Sequence, residues 1–571
     1  MVCKVAPKLN SPTRRGPGDN HDGQTTDIAD YETALDIAGY GRFSRSALGA
    51  CACAFFTTGV ENCVMSYVLP AAKCELQLTT YTTGLINMAF MSGGVASAFF
   101  WGIVADVFGR RNILCTTLLL NATITLVQST VSDYRVLLAA RSINGFLIGG
   151  PSTLVFTYLS DLVGVRRRQF YLTITGMSFV APWLILPAIA WLVIPFKIAY
   201  STVLPIYSWR LYLALASLPA FIAGFWTLLL PESPRLLSDT NRTEKALQIL
   251  ENIFKRNKGN TEVFKIKKLI PDDIFVAKKL NGEQNRTREL FMGVLKDLKM
   301  FVSKAYAFKS SLILFVFFAN MAAGFGLNFW LPELLQRTQA RDCRFGTKLA
   351  IPENARLFNA SNATWREYQD SKTDTDNDSF GHSANDNCDS TMDDEVFISG
   401  LVVGAICVIG NAACAVLCSR GGARGVRAAA TACTLACVLA CVCLALCVCS
   451  CSSANKIAVA AAAALNAASL NGNVLLIRLL LHALPPKLSG LGVCWGAWWG
   501  RAGGVASNLA VGALLDYSCP APFISVAALL AISIGAIMLI KLESPQESEP
   551  EKTEEAAEKE TGLDRYISTH M

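Results

Sequence analysis

Twelve apolar runs, each close to the roughly 20 residues a helix needs to cross a bilayer, punctuate this chain. They cover about 47–69, 83–104, 112–130, 135–158, 170–195, 209–230, 310–331, 396–418, 426–449, 456–480, 490–514 and 521–541. Polar stretches separate the sixth run from the seventh and the seventh from the eighth. The pattern predicts an all-α polytopic membrane protein with twelve transmembrane helices in two six-helix bundles. Its expected parts are a tail over 1–46, a bundle over 47–230, a linker over 231–309, a second bundle over 310–541 carrying a loop at 332–395, and a tail over 542–571. The first 45 residues are polar, so the first span is expected to direct insertion itself rather than a cleavable signal.

Composition agrees with that pattern. Hydrophobic residues make up 52% of the 571 and charged residues 17%, where a soluble domain carries about a quarter. The net charge of +7 says little about nucleic acid, which is not expected as a partner, since basic residues sit in short loops flanking the spans of a chain expected to lie in a lipid bilayer. Ten of the twenty cysteines fall between Cys407 and Cys451, among Ala, Val and Leu. There cysteine reads as a small hydrophobe that lets helices pack closely, since a metal site wants a polar second shell. With no nucleophile–base constellation, phosphate loop or metal-ligand spacing, neither an enzyme nor a cofactor is expected.

Basic residues in short loops set orientation. The even-numbered loops hold Arg110, Arg111, Arg166, Arg167, Arg168, Arg420, Arg424, Arg427 and Lys487. The odd-numbered ones hold Lys73, Arg135, Lys197, Arg210 and Lys456. Nine against five places both termini in the cytosol. The linker is then cytosolic and basic, and the acidic 332–395 loop lies outside, where the sequons at Asn359, Asn362 and Asn377 would carry N-linked glycans. Sequons at Asn241 and Asn285 should stay bare, and that at Asn121 falls within a span. Cys343 and Cys388 of the outer loop are candidates for a disulfide, with Cys74 and Cys519 expected in the same compartment. The final tail, with eight Glu from Glu543 to Glu560, reads as solvated and disordered.

Between the second and third spans stands Gly102-x-x-x-Asp106-x-x-Gly109-Arg110-Arg111. It resembles the signature loop of the major facilitator superfamily. Glycines allow a tight turn, the carboxylate can face a helix N-terminus, and the arginines are expected to stay in water. Pro231-Glu232-Ser233-Pro234-Arg235 and Arg141-x-x-x-Gly145-x-x-x-Gly149 resemble motifs of its sugar-porter and organic-ion branch. Residues 31–43, Gly59-Val60-Glu61, Ala190-Trp191 and Gly326-Leu327-Asn328-Phe329-Trp330-Leu331-Pro332 are similar to synaptic vesicle glycoprotein 2 and its relatives. The resemblance spans about 31–541. It implies a monomer in a secretory or synaptic vesicle or the plasma membrane, with a cytosolic gate held by Asp106, Arg110 and Arg111. Three places depart from it. Thr58 stands where that family has an acid, Ser419–Arg424 lacks the aspartate of the repeated loop, and His482–Lys487 keeps little of the pattern after span ten.

Ionisable side chains inside spans are functional candidates by default. Glu61 and Arg141 lie about 12 Å and 9 Å from the outer ends of their helices at ~1.5 Å per residue, on two helices that line the cavity in this superfamily. A pair of that kind either couples protons or holds geometry. Arg501, in the eleventh span, either meets an anionic substrate group, faces Glu61 or snorkels. Trp191 is the leading candidate for a pocket aromatic, with Trp330 and Trp495 behind it. Two functions follow. One is a secondary transporter of a small organic solute, a sugar or an organic ion, working by alternating access with protons as the coupling ion. The other is a non-transporting vesicle glycoprotein that regulates exocytosis through its lumenal loop and tails.

Overall fold

The computed structural model describes residues 28–195 without 98 and 99, 208–270 without 241, 260–262 and 265, and Ser303. It further describes 306–330 without 328, Leu334, and 394–540 without 419–422, 450–454 and 485. Helices occupy all twelve predicted spans. In the first half they are α2 (Arg42–Cys63) with α3 (Met65–Ala71), α4 (Thr80–Ser97) with α5 (Phe100–Phe108), α6 (Arg110–Gln128), α7 (Tyr134–Leu162), α8 (Val165–Ser178) with α9 (Pro182–Val193), and α10 (Ser208–Leu228). In the second they are α13 (Ala307–Met321), α14 (Asp394–Cys418), α15 (Ala423–Cys449), α16 (Asn455–Ala483), α17 (Pro486–Tyr517) and α18 (Ala521–Leu539).

Eight of these spans are long and apolar enough to cross a membrane on hydropathy alone, and a ninth is the α4–α5 pair, whose parts are inclined by 50°. The other three, α6, α7 and α17, bear Asn, Thr, Arg and Gly on faces turned into the protein. Low hydropathy there marks helices that carry interior polar groups. The lipid-facing side is plain on α10. Leu211, Leu215, Leu218, Ile222, Phe225 and Leu229, at and just beyond its end, are all exposed, at the alternating three and four spacing of one helix face.

Within the first bundle α4 packs on α7 and α6 on α10; in the second, α15 packs on α16 and α18. The bundles meet through α4 against α17 and α9 against α14. Their shared core joins Phe90, Met91 and Ile148 to Trp330, Val403 and Val511. Cysteine does act as a small hydrophobe here: Cys407, Cys437 and Cys441 are fully buried in that core beside Leu444 and Leu465. Cys74, Cys494 and Cys519 are disulfide-bonded, while Cys343 and Cys388 lie outside the described residues. So do the glycosylation asparagines Asn359, Asn362 and Asn377, the sequons at Asn241 and Asn285, and the C-terminal tail.

One end of the first bundle carries an extra layer, referred to below as the linker face. A short strand, β1 (Ile28–Asp30), pairs in parallel with β2 (Lys268–Ile270), with Ile28 opposite Lys268. Around them lie α1 (Tyr31–Ala38), α11 (Pro234–Asp239) and α12 (Thr243–Lys258). Ala34, Leu35, Leu250 and Leu269 form the small core of this layer. Asn257 fastens it to the bundle. Its Nδ2 donates to Ala38 O and Gly39 O at 3.3 and 2.8 Å, and its Oδ1 accepts from Phe43 N and Ser44 N at 3.1 and 3.3 Å. The first turn of α2 thus finds an acceptor for donors that no intrahelical carbonyl can reach.

Candidate functional site

Two polar clusters stand out, one inside the first bundle and one on the linker face. The first is built from three helices. Along α6, Thr117, Asn121, Thr125 and Gln128 recur at helical spacing and are all fully buried, so a polar stripe faces inward. Opposite it, α2 brings Glu61 and α7 brings Arg141 and Asn144. The glycines of α7 let α4 approach closely: a Cβ on Gly145 would stand 1.9 Å from Phe90 O, and one on Gly149 2.0 Å from Ser97 Oγ.

Glu61 and Arg141 form an ion pair at 2.7 Å, their side chains 1% and 3% exposed. The second Arg141 amine donates to Glu61 O at 3.0 Å, and the guanidinium lies 4.2 Å from the centre of the Phe90 ring. Asn121 Nδ2 and Thr125 Oγ1 donate to the other carboxylate oxygen at 2.9 and 2.6 Å. Asn144 Nδ2 reaches Thr125 Oγ1 at 2.7 Å and Glu61 Oε2 at 3.4 Å. A carboxylate so placed is held by charge and by neutral donors together, which is the condition under which a buried ion pair is tolerated.

On the linker face the Gly102–Arg111 turn takes its shape from Gly109, whose φ of +102° suits glycine alone and where a Cβ would meet Glu232 Oε2 at 2.4 Å. Gly102 is buried within α5. Arg110 does not stay in water as expected. It lies between Asp106 at 3.1 Å and Asp161 at 2.5 Å, with 18% of its side chain exposed. Asp106 thus pairs with an arginine one turn along its own strip of chain. Arg111 N donates to Glu232 Oε1 at 3.0 Å, and its guanidinium donates to Leu228 O.

The Pro231–Arg235 stretch explains itself in the same place. Ser233 caps α11, accepting from Leu236 N at 3.1 Å and donating to Asp161 Oδ2 at 2.6 Å, while Pro234 opens the helix. Glu32 of α1 extends the network to Arg168 at 2.6 Å and Arg235 at 3.3 Å. The Tyr31 hydroxyl donates to Asp161 O. Burial first, then the nearby Asp161 and Glu32 carboxylates, hold that phenol well above its ordinary pKa, so it remains a donor.

Arg501 stands at the seam between the bundles. From α17 it donates to Gly94 O on α4 at 2.7 Å and to Ser152 Oγ on α7 at 2.9 Å. It does not face Glu61, whose oxygens are taken, and among the described residues it has no carboxylate partner. Trp191, the expected pocket aromatic, lies at the seam between the bundles. It sits at the end of α9, 41% exposed, with Nε1 donating to Asp394 Oδ1 at 2.9 Å across the bundle interface. Trp330 is buried against Gly84 and Gly512, and Trp495 packs edge-on to Trp498.

Sequence reasoning missed Asn121, Thr125, Asn144 and Asp161, while Ser233 and Glu32 stood out only as members of recognised motifs, with no role assigned. The signal for the first three was present: amide and hydroxyl side chains at spacings of three and four on spans otherwise apolar. Asn121 had registered only as a sequon.

The fold is that of a transporter superfamily. The family model described as Major Facilitator Superfamily matches residues 50–348, and the chain belongs to that family. It is similar to synaptic vesicle glycoprotein 2B of Rattus norvegicus, 28% identical over 340 residues, 57% of this chain and 50% of that protein. It is also similar to synaptic vesicle glycoprotein 2A of Homo sapiens, 26% identical over 335 residues, 56% and 45% of the two chains. The match therefore spans about half the length of these relatives. Among solved structures, the inward open conformation of the xylose transporter XylE from E. coli aligns with a TM-score of 0.60 at 12% identity, over 88% of this chain and 98% of that one. The proton:xylose symporter XylE bound to 6-bromo-6-deoxy-D-glucose aligns with a TM-score of 0.54 at 13% identity, over 88% and 96%. At such identities the likeness is one of fold.

Proposed function

We propose that this protein is a secondary active transporter of a small organic solute, a sugar or an organic ion, that works by alternating access with protons as the coupling ion. The observation that carries the reading is the Glu61 carboxylate, buried against Arg141 inside one bundle of a two-bundle transporter fold. Four side chains on two helices converge on it. Gain of a proton there removes the charge that holds Arg141, and a three-helix packing arrangement responds to one protonation event. Gln128, on the same stripe one turn beyond Thr125, continues the polar path towards the face opposite the linker. Arg501 bridges the bundles through a carbonyl and a hydroxyl, contacts weak enough to break and re-form as the halves rock. Asp106, Gly109, Arg110 and Arg111 tie the α5–α6 turn to α7 and α11 and serve as the gate on the linker face.

In this reading the linker face is cytosolic, as the basic loops direct, both termini are cytosolic, and Asn359, Asn362 and Asn377 carry glycans on the opposite side. A second reading, a vesicle glycoprotein that regulates exocytosis without transport, is favoured by the names of its relatives and by the reduced motifs at Ser419–Arg424 and His482–Lys487. Uptake into proteoliposomes with and without a pH gradient separates the two. Accumulation that follows the gradient supports the first, and no flux across a broad sugar and organic-ion panel leaves the second.

A further inference from the structure

A cavity of about 360 Å³ opens on the linker face where α2 begins, the sixth span ends and α12 lies over both. Phe43, Leu229, Ile249 and Ile253 give it an apolar lining, and its side on α12 carries Lys255 and Arg256. The size falls in the range of small-ligand sites, roughly 300–1,000 Å³. The cavity is built rather than accidental. Asn257, next to Arg256 in sequence, is hydrogen-bonded to four groups around the start of α2, so the end of α12 is pinned over it. Leu230, Ile253 and Phe43 are themselves buried.

Two features give the ligand its chemistry. The exposed apolar stripe of α10, from Leu211 through Ile222 and Phe225, runs directly into the cavity at Leu229, which is 76% exposed. A hydrocarbon chain lying along this stripe in the bilayer would end at the cavity mouth. There the charge is positive. Arg256 has no ion-pair partner among the described residues, and Lys255 is engaged only by Glu251 at 2.7 Å, an exposed pair within α12. Pairs of that kind contribute little and exchange readily for a stronger anion. An apolar track leading to two cations matches an amphiphile with an anionic head.

We infer that the α2–α10–α12 cavity binds an anionic phospholipid of the leaflet on the linker face, with one acyl chain along the α10 stripe and the headgroup phosphate between Lys255 and Arg256. Each basic residue near an anionic membrane surface contributes measurably to such attraction, and the preformed cavity adds position to it.

The test uses the full chain in detergent, titrated with phosphatidylinositol 4-phosphate, phosphatidylcholine and free inositol phosphate, read by native mass spectrometry and by thermal shift. The anionic lipid should bind at least roughly tenfold tighter than phosphatidylcholine, and K255Q/R256Q should remove most of that preference. Glu251→Gln, which frees Lys255, should strengthen binding. Leu229→Ser should weaken the lipid but leave the soluble headgroup unchanged. Equal binding of both lipids, or a preference that survives K255Q/R256Q in a protein of unchanged thermal stability, would overturn the proposal. Free inositol phosphate binding as tightly as the lipid, indifferent to Leu229→Ser, would also overturn it, making the cavity a site for soluble phosphates. None of these outcomes depends on whether the protein transports anything.

Discussion

Arg110 at the start of α6 and Asp161 at the end of α7 are joined at 2.5 Å, and the aspartate side chain is only 2% exposed. The other carboxylate on Arg110, Asp106, is 25% exposed. The residue that the recognised motif contains is therefore the weaker partner, and the residue outside it is the buried one. Breaking a buried pair costs about 3–5 kcal/mol, whereas an exposed one contributes about 0–1 kcal/mol. Asp161→Asn should thus lower the thermal midpoint clearly more than Asp106→Asn in the same detergent. Equal shifts would place the anchoring of Arg110 on Asp106 instead.

Gly109 offers a second check on the same turn. Alanine there must adopt a φ of +102° and bring its Cβ within 2.4 Å of the Glu232 carboxylate. That positive-φ backbone alone costs roughly 1–3 kcal/mol for a residue with a Cβ, and displacing Glu232 also releases Arg111 N. Gly109→Ala should therefore fold less stably than the parent by at least that amount, as thermal unfolding would report. A neutral Gly109→Ala would mean the turn relaxes freely.

The twelve helices were legible because a bilayer demands runs of about 20 apolar residues, and the chain supplies them even where α6, α7 and α17 carry interior polar groups. Glu61 and Arg141 were legible for the converse reason, as charges in an apolar setting. What escaped were groups whose meaning depends on which helix faces which. Asn121, Thr125 and Asn144 are neutral and common in helices, and only the packing of α6 and α7 around α2 gathers them on one carboxylate. Asp161 reads as a charge near a loop, and only the fold buries it beneath Arg110. At Trp191, an aromatic near a helix end reads either as a pocket wall or as an interface anchor. Its indole hydrogen bond to Asp394, 203 residues away, is a tertiary fact that no local pattern carries.

At the seam, Arg501 holds Gly94 and Ser152 of the other bundle. Arg501→Met keeps the apolar length and removes both hydrogen bonds, each worth on the order of 1.5–3 kcal/mol when the donor is charged. Hydrogen exchange of the α4 and α7 peptides containing Gly94 and Ser152 should quicken, while that of α15 and α18 should not change. Unaltered exchange at α4 and α7 would show that the bundles are held without this bridge.

The acidic 332–395 stretch gives an independent test of orientation. Glycosidase treatment should lower and sharpen the gel band, and joint replacement of Asn359, Asn362 and Asn377 should abolish the change. A shift that instead tracked Asn241 or Asn285 would invert the assigned sidedness, and with it the leaflet that supplies the lipid.

Glu61 decides between the functional readings. Glu61→Gln preserves shape and can still accept from Asn121 and Thr125, yet it can neither carry a charge nor cycle a proton. If the pair couples transport, gradient-driven accumulation should vanish while solute exchange across the membrane continues. Arg141→Ala should behave differently. It leaves a buried carboxylate with only the neutral donors of Asn121, Thr125 and Asn144, with a penalty of about 3–5 kcal/mol, so lost stability should accompany any loss of transport. The two variants together distinguish chemistry from architecture. Accumulation by Glu61→Gln at the parental level would make the pair structural, because the carboxylate at the centre of the polar cluster would then be dispensable to the cycle.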